Sequence, residues 1–340
     1  MAYKFNLPLD SQLTLEQRAA LYETEPIAIQ GGPGTGKSVV SLRRHINNIN
    51  SKKKSQLLTY TKTLAKFLEQ CCYSADHNKA AMCVGTALSF GGRVDGEIII
   101  DEAQDLPSSI LQRFKSNAKI VSFGADDRQQ LYPGKGCTIS ELKSIFPETE
   151  DVFLEQNFRN TYSIMNFVKY LFPKKTIPQD MLDKLKHSNK GNKPILLKYS
   201  ARGKDERIDA ETRILKELLS DIYSQESNTA ILVPFESSVN EYYDMVQGVV
   251  SKCSKYHSNM DGIDVIENLH VTTFKSAKGL EFDTVIIPNF GSYQYLVDNY
   301  SEKLSEADYY VGLTRARSNL FLLSDSTISV PNTTYECNNI

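Results

Sequence analysis

Short runs of apolar residues alternate with helical patterns along the first half of the chain. This alternation is typical of βαβ units, in which a helix follows each strand of a parallel sheet. The unbroken apolar run Ile98–Ile100 is expected of a central strand covered on both faces. The pattern predicts six strands in this half: Ile27–Gln30, Gln56–Tyr60, Ala81–Val84, Glu97–Ile100, Ile120–Phe123 and Val152–Leu154.

A polar stretch containing glycine and proline, His187–Pro194, predicts a domain junction. Beyond it the alternation resumes, whereas the tail from Thr327 is polar and is expected to add little. We therefore predict two doubly wound α/β domains, residues 1–190 and residues 191–340. The elements predicted in the second are a helix at Ala210–Tyr223 and strands at Ile195–Lys198, Ala230–Pro234, Val271–Thr272, Thr284–Ile287 and Asn319–Leu323.

Composition narrows the class of protein. A chain of 340 residues with 41% hydrophobic and 24% charged residues is typical of a soluble two-domain protein. No apolar run approaches the roughly 18 residues of a membrane span, and the first residues lack the features of a secretory signal. Six cysteines without CxxC pairing favour reduced thiols in a cytoplasm over zinc ligation. The net charge of −2 does not advertise nucleic-acid binding, although a local basic groove would be enough for it.

A glycine-rich segment follows the first predicted strand. Gly31–Ser38 fits GxxxxGK[ST], with a strand before it and the helical pattern Ser38–Ile46 after it. Small residues let backbone N–H groups wrap a phosphate, and the helix N-terminus adds partial positive charge. Lys37 suits the β- and γ-phosphates of ATP, and the Ser38 hydroxyl suits Mg²⁺. The predicted phosphate-binding residues are Gly32, Gly34, Thr35, Gly36, Lys37 and Ser38.

Two acidic residues end the predicted strand Glu97–Ile100. The carboxyl ends of parallel strands are where open α/β sheets bind ligands. Asp101 suits Mg²⁺, and Glu102 suits the general base that orients the attacking water. Alone, such a pair equally fits a solvated loop. Together with the P-loop, it predicts a site for ATP and Mg²⁺.

The order of these and later motifs resembles the superfamily 1 helicases of the UvrD/Rep/PcrA type. Leu15–Gln17 is similar to that family's Q motif, and the resemblance implies that Gln17 reads adenine through its amide. Ala125–Tyr132 is similar to GDxxQxIY, which implies that Gln129 senses the γ-phosphate.

Three further motifs extend the resemblance almost to the end of the chain. Leu154–Arg159 matches LEQNYR, which implies that Arg159 contacts a phosphate. Tyr310–Arg317 matches YVALTRAR, which implies that Arg315 is an arginine finger. Thr273–Phe282 matches TxHxAKGLEF, and the residues implied to face the nucleotide are Gly279 and Glu281.

The resemblance implies two tandem RecA-like domains with parallel sheets and ATP in the cleft between them. One wall would carry the P-loop and the acidic pair, and the other would supply Arg315 when the cleft closes. Closure coupled to hydrolysis is what a translocase converts into movement along a strand. The predicted catalytic residues are Lys37, Glu102, Gln129, Arg159 and Arg315, and the predicted metal ligands are Ser38 and Asp101.

The polynucleotide motifs depart from the family. Leu58–Lys62 resembles TFTNKAA, but Thr86–Phe90 lacks the first aromatic residue and the histidine of TFHSF. Pro133–Gly136 replaces an aromatic residue followed by Arg-Gly, and the chain has no tryptophan. Since a base–aromatic stack contributes about 1–3 kcal/mol, single-strand binding is expected to be weakened. The candidate nucleic-acid contacts are Tyr60, Thr86, Tyr132, Lys135 and Lys275.

The spacing of the motifs predicts that both accessory subdomains of the family are missing. Only 15 residues separate Thr86 from Asp101, and 114 separate Arg159 from Thr273. The basic run Lys52–Lys54 fits a solvated loop better than a DNA contact, at roughly two to one.

Two functions therefore stay open. The first is an ATP-dependent translocase or helicase on single-stranded DNA, favoured over RNA. The second is an ATPase switch that controls a protein effector, such as a nuclease, with nucleic acid only as a trigger. An inactive nucleotide binder is less well supported, because the candidate catalytic residues are present.

Overall fold

A computed structural model of the chain describes residues 3, 7–131, 134–250, 252–263 and 265–340. The chain divides into two compact units. The N-terminal unit comprises residues 5–158, and the C-terminal unit comprises residues 159–340 together with Tyr3.

The N-terminal unit is built on a six-stranded sheet in the order β3-β2-β4-β5-β1-β6, and all the strand pairs are parallel. Its strands are β1 (Ile27–Gly31), β2 (Ser55–Thr59), β3 (Val84–Thr86), β4 (Val94–Asp101), β5 (Ala118–Ala125) and β6 (Glu150–Leu154). Its helices are α1 (Leu15–Tyr22), α2 (Lys37–Asn50), α3 (Lys62–Ser74), α4 (Asn78–Ala81), α5 (Ser108–Asn117) and α6 (Ile139–Ile145).

Both faces of this sheet are covered, as the apolar run Ile98–Ile100 predicts. Ile98 and Ile100 belong to one apolar cluster with α5 and α6, whereas Ile99 packs with α2 and α3 on the opposite face. Successive strand residues point to opposite faces, so an unbroken apolar run is needed to bury both.

The C-terminal unit carries a seven-stranded parallel sheet in the order β13-β7-β12-β11-β8-β10-β9. Its strands are β7 (Ile195–Lys198), β8 (Thr229–Val233), β9 (Cys253–Tyr256), β10 (Leu269–Thr273), β11 (Phe282–Ile287), β12 (Ala316–Ser324) and β13 (Glu336–Asn339). Its helices are α7 (Tyr162–Leu171), α8 (Gln179–Ser188), α9 (Lys204–Ile222), α10 (Glu236–Val246), α11 (Tyr293–Asn299) and α12 (Glu306–Leu313).

Two doubly wound parallel sheets confirm the predicted fold class, but the division between the units differs from the predicted junction near residue 190. Helices α7 and α8 lie in the C-terminal unit. The ring of Phe172, just after α7, meets Tyr293 and Tyr310 edge-on, with centroids 6.0 Å away in each case. This apolar packing outweighs the polar, glycine-containing sequence that suggested a break at His187–Pro194.

Two local predictions need correction, and one strand was not predicted. The run Ala81–Val84 is mostly helix α4 and a turn, because Ala80 and Ala81 pack beneath α3, and the strand β3 begins only at Val84. The polar tail from Thr327 contributes to the fold, because its strand β13 pairs with β7 at the edge of the sheet. Strand β9 has a half-buried polar sequence without a clear apolar run, and the sequence analysis missed it.

Candidate nucleotide site and helicase motifs

The P-loop joins the carboxyl end of β1 to the first turn of α2. Gly34 and Gly36 have φ angles of 73° and 91°, in the left-handed region that glycine adopts without steric cost. A Cβ at Gly31 would meet the Leu154 carbonyl oxygen at 2.5 Å, so β6 presses directly on the start of the loop. Backbone conformation and close contacts therefore favour glycine at these positions, in addition to the predicted binding of phosphate.

The Lys37 ammonium folds back over the loop. Its Nζ donates to the carbonyl oxygens of Gly31 at 2.8 Å and Gly32 at 3.0 Å, and the side chain is buried. The Thr35 hydroxyl donates to the same Gly32 carbonyl at 3.0 Å. A positive charge is thus held against the concave backbone where a phosphate chain would lie.

Gln17 braces the P-loop from α1. Its Nε2 donates to the Thr35 carbonyl at 2.9 Å, and its Oε1 accepts from the Thr14 N–H at 3.0 Å. A Cβ at Gly36 would lie 2.5 Å from Gln17 Nε2, so the two residues are in direct contact. The structure gives Gln17 a supporting contact with the loop, and its reading of adenine stays a prediction.

Asp101 and the P-loop meet at Gly124 of β5. A Cβ at Gly124 would lie 3.3 Å from Asp101 Oδ1 and 3.7 Å from Lys37 Cβ, so the missing side chain leaves room between them. Asp101 is 1% exposed at the end of β4, and Ser38 follows Lys37 in the first turn of α2. One carboxylate and one hydroxyl are oxygen ligands of the kind that Mg²⁺ takes alongside water and phosphate.

Glu102 has a left-handed backbone, with φ 57° and ψ 44°. For a residue with a Cβ, this conformation costs about 1–2 kcal/mol, and such strain concentrates at functional sites. Its Oε2 accepts from Gln104 Nε2 at 2.5 Å, and both side chains are buried. The strained turn and the Gln104 amide together fix the direction of the candidate general base.

Gln129 lies after β5 in a short 3₁₀ turn, Asp127–Gln129. Its Nε2 donates to Asp126 Oδ2 at 2.7 Å, while Asp126 Oδ1 accepts from the backbone N–H and the Nε of Arg128, both at 3.1 Å. A Cβ at Gly32 would lie 3.1 Å from Arg128 Nη2. The candidate γ-phosphate sensor is therefore held by a buried carboxylate next to an arginine that reaches the P-loop.

In the C-terminal unit, the predicted residues Arg159 and Glu281 form an ion cluster together with Arg317. The two carboxylate oxygens of Glu281 accept from Arg159 Nε and Arg317 Nη1, each at 3.0 Å. Burial alone would raise the pKa of Glu281, but Arg159, Arg317 and Arg315 outweigh it and lower that pKa. Gly279, two residues before Glu281, has a φ angle of 83°, which suits the tight turn before β11.

Arg315 is 1% exposed and anchored on the backbone of its own unit. Its Nε donates to the Val311 carbonyl at 2.9 Å and its Nη1 to the Leu280 carbonyl at 3.3 Å. Asn160 donates to the carbonyls of Thr314 and Ala316 on either side of it, at 3.0 and 2.6 Å. The arginine is well positioned within its unit, and its action as a finger stays a prediction.

The candidate nucleic-acid residues of the N-terminal unit follow neighbouring strands. Thr59 of β2 pairs with both Thr86 of β3 and Asp101 of β4. At the carboxyl edge of the sheet, Tyr60 therefore follows the strand next to the acidic pair, and Thr86 lies one strand further away. The Thr86 and Ser89 hydroxyls are 2.6 Å apart. Lys135 is exposed, and Tyr132 lies outside the described residues.

Lys275 follows β10 in the C-terminal unit. Its Nζ donates to the Lys303 carbonyl at 2.8 Å and lies 3.9 Å from Asp308 Oδ1. Burial raises the pKa of Asp308, while Lys275 lowers it. These contacts give Lys275 a structural role, and its contact with nucleic acid stays a prediction.

A cavity of about 750 Å³ lies at the opposite, amino-terminal edge of the N-terminal sheet, and Lys52–Lys54 line it. Its floor is the buried ion pair of Arg44 and Glu97, at 2.8 Å. The carbonyl end of α2 also faces this cavity, so nearby lysines complement the helix dipole. The interpretation of the basic run as a solvated loop, in preference to a DNA contact, stays a prediction.

Sequence reasoning missed four residues that support the assigned ones. Each lies within or directly after a recognised motif, but a side chain that orients a neighbour carries no signal of its own in the sequence. The four are Gln104, Arg128, Asn160 and Arg317.

Models of known protein families match most of both units. Residues 25–194 match the model for the Schlafen group 3, DNA/RNA helicase domain, and residues 236–327 match the UvrD-like helicase C-terminal domain. These matches define a superfamily 1, helicase-type NTPase with two RecA-like units. The first match covers half of the chain, and the chain belongs to the Schlafen group 3 helicase domain family. No curated protein sequence matches the chain.

Two solved structures are similar to the chain to different degrees. The S. cerevisiae Dbp5 structure, bound to RNA and ADP BeF3, has 12% identity and a TM-score of 0.53, over 95% of this chain and 87% of that one. An arterivirus nonstructural protein 10 helicase in complex with DNA has 14% identity and a TM-score of 0.39, over 91% of this chain and 62% of that one. The chain therefore spans about three fifths of the arterivirus helicase. No helix in the described ranges is long and apolar enough to cross a membrane.

Proposed function

We propose that this protein hydrolyses ATP with Mg²⁺ and couples that reaction to movement along single-stranded nucleic acid, with DNA preferred. The observation that carries the proposal is the convergence of Lys37, Asp101 and Glu102 with Gln129 at the carboxyl ends of three adjacent strands, β4, β5 and β1. Open parallel sheets bind ligands at this edge. The helicase family gives the same residue types the same order.

The chemistry is an in-line displacement at the γ-phosphorus of ATP. A water oxygen forms the new P–O bond while the bond to the β–γ bridging oxygen breaks, and ADP leaves with that electron pair. The Glu102 carboxylate accepts the proton of the attacking water, and Gln129 holds that water in line. Lys37 binds the β- and γ-phosphate oxygens. Ser38 and Asp101 would hold Mg²⁺, which supplies charge neutralisation at the phosphates when bound.

A second function is favoured by one observation at the polynucleotide motif. Ala87 is fully buried and Leu88 is 52% exposed, where the family carries an aromatic residue and a histidine. Neither side chain can stack on a base or bond a phosphate. Hydrolysis that controls a protein effector, such as a nuclease, needs no such contact and is the alternative.

The test is phosphate release from ATP, with and without a single-stranded oligonucleotide, at two salt concentrations. Lys37→Ala is the blank, because it removes the phosphate-binding ammonium. We expect strong stimulation by DNA that weakens at the higher salt, since phosphate contacts are electrostatic. An RNA oligonucleotide of the same sequence tests the preference for DNA.

The outcomes separate the two functions. Turnover that requires Lys37 but ignores both oligonucleotides would contradict the translocase and favour the effector switch. Equal stimulation by RNA would overturn the DNA preference alone. Turnover equal to that of Lys37→Ala would contradict ATP hydrolysis at this site.

A further inference from the structure

Arg128 lies where no helicase motif above assigns an arginine. It occupies the position just before Gln129, in the 3₁₀ turn that follows β5. Its Nε donates to Asp126 Oδ1 at 3.1 Å, and its Nη2 lies 3.1 Å from the position that a Cβ on Gly32 would take. The guanidinium therefore reaches from β5 across to the P-loop within the N-terminal unit.

Two cations thus approach the same glycine. Lys37 Nζ is 3.0 Å from the Gly32 carbonyl oxygen, and Arg128 Nη2 lies close to the Gly32 Cα. Both side chains carry a positive charge beside the P-loop, so a polyanion bound there is attracted by both. The P-loop backbone offers a phosphate chain its place at that point.

Asp126 gives the guanidinium a fixed direction. This carboxylate is 3% exposed, and it divides its oxygens between two neighbours. Oδ1 accepts from Arg128 and Oδ2 accepts from Gln129. One buried acid therefore orients both the candidate γ-phosphate sensor and the arginine beside it, and charge-assisted hydrogen bonds make that orientation firm.

We propose that Arg128 is an additional arginine of the ATPase site, supplied by the N-terminal unit itself, which binds the γ-phosphate oxygens as charge develops on them in the transition state. The proposal rests on the ATP hydrolysis proposed above. Arg128 and the P-loop belong to the same unit, so its contribution does not depend on an arginine supplied by the C-terminal unit. Arg128 adds charge stabilisation and takes no proton in the reaction.

The experiment compares Arg128→Ala and Arg128→Lys with the wild-type full chain and with Arg93→Ala. Arg93 is an exposed arginine of the same unit, just before β4 at the amino-terminal edge of the sheet. For each protein we would measure kcat and KM for ATP, the Kd of ADP and the thermal unfolding midpoint. Arg128→Ala is also assayed with millimolar guanidinium, which can fill the vacated position.

The expected result is a fall in kcat of about 10²–10³-fold for Arg128→Ala, the usual effect of removing one transition-state hydrogen-bond donor. The Kd of ADP, which lacks the γ-phosphate, should stay within about threefold, since the lost contact acts only in the transition state. Guanidinium should restore part of the rate. The kcat of Arg128→Lys should lie between those of the wild type and Arg128→Ala, because lysine keeps the positive charge but lacks the paired N–H donors of a guanidinium. The kcat of Arg93→Ala should match that of the wild type.

Two outcomes would overturn the proposal for Arg128 alone. One is unchanged kcat in Arg128→Ala while hydrolysis still requires Lys37. The other is a joint loss of kcat, ADP affinity and unfolding midpoint without guanidinium rescue, which would show that Arg128 only supports the P-loop. Wild-type turnover no higher than that of Lys37→Ala would remove the proposed function and this inference together.

Discussion

Each unit is built on its own parallel sheet, but the polar clusters of the two units lie at opposite edges of their sheets. In the N-terminal unit, Gly31, Asp101 and Ala125 end the strands that lead into the candidate site, so that site lies at the carboxyl edge. In the C-terminal unit, Glu281 and Arg315 immediately precede β11 and β12, so the arginine cluster lies at the amino-terminal edge.

The carboxyl edge of the C-terminal sheet is used differently. Glu211 of α9 is fully buried there and accepts from the Tyr199 hydroxyl at 2.8 Å and the Tyr242 hydroxyl at 2.5 Å. The Asn289 N–H, just after β11, donates to it at 2.6 Å, and Arg207 donates at 3.2 Å. Three side chains and one backbone N–H of the same unit donate to this carboxylate.

The difference teaches what makes a parallel sheet a nucleotide site. In the N-terminal unit, glycines at positions 31, 32 and 124 leave backbone and space at the strand ends. In the C-terminal unit, tyrosines and an arginine fill the corresponding edge. The same fold can therefore bind a phosphate chain or close over its own acid, and the residues after the strands decide which.

A Glu→Gln substitution at the carboxyl edge should lower catalytic activity in the N-terminal unit but lower stability in the C-terminal unit. Glu102→Gln should lower kcat by about 10²–10⁴-fold, the usual contribution of a general base, and retain ATP binding. Glu211→Gln should leave turnover per folded molecule unchanged and lower the free energy of unfolding by about 2–3 kcal/mol, because it disturbs a buried hydrogen-bonded acid.

Steady-state phosphate release, binding of a fluorescent ATP analogue and urea unfolding measure these effects. Unchanged turnover in Glu102→Gln would refute the assignment of the general base. A loss of turnover in fully folded Glu211→Gln would show that the two edges are not functionally distinct.

Acid should destabilise both units, through one buried histidine in each. Burial lowers the pKa of His45 to about 4 and that of His270 to about 3. Because the folded pKa lies below the unfolded value of 6.5, stability is fully present above pH 6.5 and is lost as pH falls towards 4. For His45 the loss is on the order of 3 kcal/mol over that range.

Urea unfolding at several pH values measures this dependence, with the tryptic pattern of partly unfolded protein reporting which unit opens. His45→Gln should flatten the dependence in the N-terminal unit. The matched control is His187→Gln, since His187 is exposed, and it should leave the curve unchanged. An unaltered slope in His45→Gln would be evidence against the buried neutral histidine.

The arginine cluster of the C-terminal unit should depend on its single acid. Glu281→Gln leaves Arg159 and Arg317 without their carboxylate, and we expect a loss of about 1–3 kcal/mol in the C-terminal unit. Chemical unfolding of the full chain measures this loss, and an unchanged free energy of unfolding in Glu281→Gln would contradict it.

The smallest effect is expected at the edge strand β13. The Tyr335 ring meets Phe167 of α7 edge-on, with centroids 6.2 Å apart. Tyr335→Leu keeps an apolar side chain and should cost about 0.5–1.5 kcal/mol, the contribution of an aromatic pair. A thermal shift assay checks it, with Phe153→Leu as a control, since Phe153 is 59% exposed on β6. Equal shifts in both variants would show that the tail does not brace the unit.

Much of the fold could be read from the chain because parallel sheets leave strong local signals. β7 coincides with its predicted range, and β1, β2, β4, β5 and β6 agree within a few residues. The prediction of secondary structure failed where the hydrophobic pattern was weak or fitted a helix as well as a strand. A short apolar run such as Ala81–Val84 fits a buried helix as well as a strand, and packing under α3 decides between them.

The sequence by itself identified the candidate phosphate-binding loop, the acidic pair and the family, because each depends on residue types at fixed spacing. Only the tertiary structure decided which side chains orient them. Gln17 reaches Thr35, Arg128 reaches Gly32 and Asn160 reaches Thr314, in each case across a long interval of chain. Such contacts arise from the order of strands in a sheet, which hydrophobic periodicity does not encode, and so the supporting residues became visible only in three dimensions.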